Sequence, residues 1–217
     1  MNLTTRVLLG FCALLLVLAG GCAETVTPVT SFGSQLVVEV TLRGPVDVTA
    51  NRYFLVLSSN PSFRVPLPPP DNNFDEFLEP GTIPQQGSLT DYYTNYYSTW
   101  AGYVELDPAG YNLVAGPFVQ GQLTTREPVS ILPEVSSKIR FNFRLDRIFG
   151  STIPDPIYFD LVSVGWPAGS AKFAGDHLTT TNAYISNLPG SIQTIPDESN
   201  PALNAALDIL NCSVTIQ

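Results

Sequence analysis

The chain has 217 residues, 44% of them hydrophobic and 13% charged, with 10 basic side chains against 19 acidic and a formal net charge of −9. That length supports one domain with a sizeable core. The acidic balance disfavours nucleic acid and anionic membrane surfaces as electrostatic partners.

Residues 1–22, MNLTTRVLLGFCALLLVLAGGC, open with a short polar stretch carrying Arg6 and continue as an apolar run over 7–18. A run of that length is a signal-peptide core, whereas a membrane-spanning helix needs about 20 apolar residues. Leu18-Ala19-Gly20-Gly21-Cys22 resembles the lipobox of bacterial lipoproteins. The resemblance implies cleavage before Cys22 and a diacylglycerol on its thiol, with further acylation such as palmitate. Two or more acyl chains anchor a protein stably where one does not. Ordinary secretion with cleavage after Ala23, using Gly21 and Ala23 as the small pair, is the competing processing route. Ala23 stands where Asp would retain a Gram-negative lipoprotein in the inner membrane, so the resemblance leans to the outer membrane or cell surface. The expected organisation is a signal peptide over 1–21, a Thr-, Ser- and Pro-rich flexible tether over 22–34, and a single domain over 35–217.

Loss of 1–21 leaves 9 basic against 19 acidic side chains. Cys12 goes with the leader and Cys22 takes the lipid, so Cys212 stands alone and no intrachain disulfide is expected. Cys212 reads as a small buried residue of the last strand.

Residues 35–42, QLVVEVTL, are β-branched and open the domain as a strand, broken at Gly44-Pro45. YFLVLS at 53–58 is a second strand, too apolar to be exposed on both faces. Prolines 66, 68, 69 and 70 then stop regular pairing. A long polar loop spans 71–89. In 89–103, LTDYYTNYYSTWAGY, the aromatic residues recur at four-residue steps after Thr90-Asp91, which predicts a short helix or irregular arm with that pair as cap. Strands are expected at 100–106 and at 111–119, the second interrupted near Gly116-Pro117, with a turn at 107–110. KIRFNFRL at 138–145 alternates apolar and polar, one face to a core and one to water. One helical turn is expected at 146–149 and a strand at 157–164, while 172–178 and 183–186 are ambiguous. Ser199-Asn200-Pro201 has the form of a cap with proline in the first turn, predicting a helix over 202–210 before a terminal strand. The fold class is therefore mainly β: an antiparallel β-sandwich with one short C-terminal helix.

The order of Tyr53-Phe54-Leu55-Val56-Leu57, Trp100-Ala101-Gly102-Tyr103-Val104, the 139–149 strand-turn-glycine, and 157–164 leading towards Asp176-His177-Leu178 resembles DOMON and family 9 carbohydrate-binding sandwich domains. That group implies a β-sandwich which in some members binds sugars or haem. Met1 is the only methionine and leaves with the leader, which disfavours haem. No cofactor is expected.

Tyr93, Tyr97 and Trp100, beside Asp91 and Asn95, are the candidate ligand-binding residues. Sugar rings stack their C–H faces on aromatic rings while Asn and Asp bond hydroxyls; plugging the sandwich is the competing use of the same rings, and a protein partner is served equally by Tyr and Trp. Asp71, Asn72, Asn73, Asp75 and Glu76 offer oxygen ligands of the kind calcium takes, without EF-hand spacing, and read as a solvated acidic loop. One histidine and one free thiol make no zinc site, so no metal is expected. Asp176-His177 is the single base candidate and no Gly-x-Ser-x-Gly elbow is present, so no catalytic set is assigned. The expected protein is a membrane-tethered, non-catalytic, extracytoplasmic lipoprotein of the cell envelope, anchored through Cys22, that binds a glycan or protein partner or scaffolds an envelope complex. The alternative is an envelope polysaccharide hydrolase using paired carboxylates.

Overall fold

The computed structural model describes residues 33–68, 76–88, 91–130, 136–179 and 183–217. Cys22, the leader and most of the tether lie outside these residues, as do Asp71, Asn72, Asn73 and Asp75.

Among the described residues eleven strands make two antiparallel sheets. The smaller sheet runs β10 (Ile192–Pro196), β11 (Ile209–Ile216), β1 (Gln35–Leu42), β6 (Lys138–Arg144). The larger runs β5 (Glu127–Ser130), β4 (Gly110–Ala115), β3 (Gly102–Asp107), β2 (Asn51–Ser58), β7 (Ile157–Gly165), β8 (Phe173–His177), with β9 (Ala183–Ile185) pairing β7 beyond β8. The mainly β sandwich expected from the sequence is the observed architecture.

Period-2 patterning explains the smaller sheet. In β1 every second residue from Leu36 is buried, and β6 buries Ile139, Phe141 and Phe143 while exposing Lys138, Arg140, Asn142 and Arg144. These side chains meet Tyr53, Leu55, Leu57, Val104, Leu106, Leu113, Phe159 and Leu161 of the larger sheet to form the inter-sheet core. Cys212 is fully buried there, and burial pushes its thiol up to about 12.

Strands β2, β3 and β7 are buried on both faces, and a second apolar cluster explains it. Phe54, Val56, Tyr103, Val114, Val162, Val164 and Ala174 on the outer face of the larger sheet are covered by Phe63, Val65, Phe77, Leu78, Tyr92, Tyr97, Trp100 and Phe118. Most of that cover comes from the long segment between β2 and β3, so the molecule is layered as sheet, sheet and aromatic arm.

The expected arm forms as two short turns, α1 (Tyr92–Asn95) and a 3-10 turn (Tyr97–Thr99). Asp91 caps α1, its Oδ1 accepting the Thr94 N–H at 3.0 Å. The single helical turn expected at 146–149 is α2 (Asp146–Phe149).

The C-terminal helix expected over 202–210 is not formed: turns occupy the segment to 207 and β11 begins at Ile209. Asn side chains are the reason. Asn200 Oδ1 accepts the Ala202 N–H at 3.1 Å and Asn204 Oδ1 accepts the Ala206 N–H at 3.0 Å, two successive turns that take donors a helix would need. The buried Asp208 carboxylate holds the wrap shut, accepting from the Asn200 N–H at 3.1 Å and pairing with Arg43.

Candidate functional site

Tyr93, Tyr97 and Trp100 are drawn together by the arm, but as packing. Tyr97 and Trp100 are only 1% and 4% exposed, with ring centroids 5.0 Å apart in an edge-on pair. Their polar atoms are also spent on the fold: Tyr97 donates its hydroxyl to the Leu78 carbonyl, and Trp100 Nε1 donates to the Arg64 carbonyl at 2.6 Å. Tyr93 is half-buried, its hydroxyl donating to Thr82 O at 2.6 Å and accepting the Gly81 N–H at 2.9 Å. Tyr97 and Trp100, expected from the sequence as ligand-stacking rings, are buried instead, and with Tyr93 they tie the arm to residues 64, 78 and 81–82.

The concave site lies where the arm meets the edge of the larger sheet. Strand β7 alternates, sending Phe159, Leu161 and Ser163 inward and Asp160, Val162 and Val164 outward. Asp160 is the one acidic residue on that otherwise apolar stripe. Strand β8 carries a bulge: Val164 pairs Ala174 but Ser163 pairs Asp176, leaving Gly175 as the extra residue. A Cβ at Gly175 would meet Leu207 Cδ1 at 2.9 Å, so only glycine fits the bulge without displacing a core side chain. The bulge turns Asp176 inward, where it accepts the Ile209 N–H at 2.8 Å, and sets His177 opposite Val162 on the outer face.

His177 Nδ1 then lies 3.6 Å from Asp160 Oδ2, an ion-pair distance with no hydrogen bond made by that buried nitrogen. The Asp160 carboxylate holds the imidazole above its usual 6.5, against the opposing effect of burial, with Asp176 and Asp197 adding in the same direction as Asp160. Burial raises the Asp160 carboxyl, while His177 and the N–H of Leu178, 3.2 Å from Oδ1, favour its charged form.

This pair lines a cavity of ≈ 530 Å³ whose other walls are Phe63, Arg64, Val65 and Leu67 from the arm, Tyr96 from its turn, and Thr179. Arg64 is exposed, and its charge pulls against the burial that raises the Tyr96 hydroxyl. Sequence reasoning placed His177 beside Asp176 and left its true partner unseen. The signal was available in IYFDLVSV, where alternation sets Asp160 on the face of Val162 and Val164.

No match exists to any protein-family model, curated protein or solved structure in the comparisons made.

Two further charged groups are structural. Glu105 is 1% exposed on the outer face of β3, with Oε2 accepting from Arg126 Nη2 at 2.7 Å while Oε1 faces Arg52 at 3.7 Å without a hydrogen bond. Burial, with Glu79 nearby, lifts Glu105 to about 8 against the pull of Arg126. Asp176, Asp197 and Asp208 line the C-terminal wrap, and burial lifts Asp197 to about 6. Among the described residues no three His, Cys, Asp or Glu side chains are grouped to hold a metal ion, and no helix is long and apolar enough to cross a membrane.

Proposed function

We propose that the protein is a lipid-tethered, non-catalytic binding domain of the cell envelope, and that its ligand is a glycan held in the cleft between Arg64, Tyr96, Asp160 and His177. The cleft itself carries the reading. Its ≈ 530 Å³ falls inside the roughly 300–1,000 Å³ range of small-ligand sites, and its lining mixes apolar side chains with a few converging polar groups. A half-buried tyrosine beside a histidine–carboxylate pair suits a sugar ring, which offers one apolar face and many hydroxyls.

Two observations favour binding over hydrolysis. Among the described residues Asp160 is the only carboxylate lining the cleft, whereas a glycosidase places two across the scissile bond. No hydroxyl or thiol among the described residues is hydrogen-bonded to His177, and Cys212 is sealed in the inter-sheet core.

Glycan-array binding of the full chain tests the ligand. Tyr96→Ala is expected to abolish binding and Tyr184→Ala, at an exposed tyrosine outside the cleft, to leave it intact. Binding to no glycan, or binding indifferent to Tyr96, overturns the reading. The tether is tested by fractionating cells that make Cys22→Ser: acylation and membrane retention should both disappear, and unchanged retention refutes lipid anchoring.

A further inference from the structure

Nine cationic side chains lie among the described residues, and eight of them are engaged. Arg43, Arg52, Arg126, Lys138, Arg140, Arg144 and Arg147 each stand within ion-pair distance of a carboxylate. Lys172 lies over the Trp166 ring, 5.2 Å from its centroid. Arg64 is the exception. Its backbone is fixed, the N–H donating to Thr99 Oγ1 at 3.3 Å and the carbonyl accepting from Trp100, while its guanidinium has no carboxylate partner among the described residues. In a chain of net charge −9, a cation on the wall of a cleft that no described carboxylate neutralises is available for an anion from outside.

The same cleft holds the protein's only histidine, paired with Asp160. Arginine presents a planar fork that matches a carboxylate bidentately, and such charge-assisted bonds are about twice as strong as neutral ones.

We infer that the cleft is a site for acidic sugars, with a uronic-acid carboxylate on the Arg64 guanidinium and ring hydroxyls against His177 and Thr179. This rests on the cleft being a glycan site. The net acidity of the surface repels a polyanion at long range, so selectivity comes from the short-range pair, and it weakens as salt rises.

Calorimetric titration of the full-length protein with oligomers of galacturonate, glucuronate and mannuronate, each against its methyl ester, tests the inference. The ester keeps the ring and hydroxyls and removes the charge. At least one acid form is expected to bind about tenfold or more tightly than its ester. Arg64→Gln should bring the two within about twofold, while Arg140→Gln, on the exposed face of the smaller sheet, should leave the preference intact. Arg64 and Tyr96 line the same cleft as His177, and the carboxylates acting on His177 are Asp160 of β7, Asp176 beside it in β8 and Asp197 just past β10. They hold it cationic to higher pH, so acid-form affinity should fall as pH rises through the histidine's titration and ester affinity should not. A uronate carboxylate, near the ordinary α-carboxyl range of about 3.3–3.7, stays ionised throughout. Equal affinity for acid and ester, or a preference for sulfated neutral-ring sugars, overturns the acidic-sugar assignment and leaves the glycan site standing. Failure of every acid, ester and arrayed glycan overturns the glycan site itself.

Discussion

Glu105 sets a pH dependence that ordinary carboxylates do not. Its folded value of about 8 lies above the unfolded 4.5, so the folded state holds the extra proton between those limits. Its contribution is fully present below 4.5 and is lost as pH rises towards 8. Asp197, lifted to about 6, has the same sign over its own window, and so does His177, whose raised value costs stability above 6.5. The lowered carboxyls of Asp47, Asp91 and Asp146 act oppositely, their stabilisation being lost as pH falls below 3.8. Scanning calorimetry should therefore find the highest melting temperature in mildly acid buffer and a decline towards pH 8. Glu105→Gln, which keeps the neutral shape, should flatten the upper part of that decline. An unchanged slope between pH 6 and 8 would place Glu105 as an ordinary ionised partner of Arg126.

At the scale of elements, the bulge in β8 and the aromatic arm are the parts on which the cleft depends. Gly175→Ala forces a methyl against Leu207 and should cost about 1–3 kcal/mol, seen as a melting temperature lower by several degrees. It should also perturb the His177 ring resonances in NMR spectra, because the bulge sets that side chain's face. Trp100→Ala removes a buried ring and orphans the Arg64 carbonyl, so a loss of about 3–5 kcal/mol is expected in denaturant titration. Strands with one wet face, such as β6, are legible in sequence because alternation is local. YFLVLS and IYFDLVSV read as unusually apolar strands, but what covers their outer face is not legible, since it arrives from a distant arm. Strands β5 and β10 are hard to read from the sequence, since Pro128 and Pro196 sit within them; both are edge strands, where a missing donor is tolerated. The helix expected over 202–210 does not form because Asn204, beyond the Ser199-Asn200-Pro201 cap, makes a second turn of its own.

For the whole molecule, the acidic sandwich was readable from composition and strand patterning, whereas the cleft is a product of three distant segments and had no local signature. Asp160, His177 and Arg64 come from different segments; alternation places Asp160 on an apolar face, but nothing local joins it to His177 or Arg64. The arm supplies one wall and the sheet edge the other, so arm stability and ligand affinity are coupled: saturating ligand should raise protection of amides around residues 92–97 in hydrogen exchange. No change there on ligand addition would mean that the ligand sits elsewhere.

The centre of the smaller sheet is made by β1 and β11, paired from Leu36 with Ile216 to Leu42 with Ile209. The first strand of the domain thus waits for the last, and loop closure across nearly the entire domain must precede their pairing. A chain whose residues 209–217 have not yet arrived lacks Ile209, Cys212, Val214 and Ile216 from its core. Such a chain cannot complete the sandwich, so the smaller sheet closes only when its two most distant strands meet.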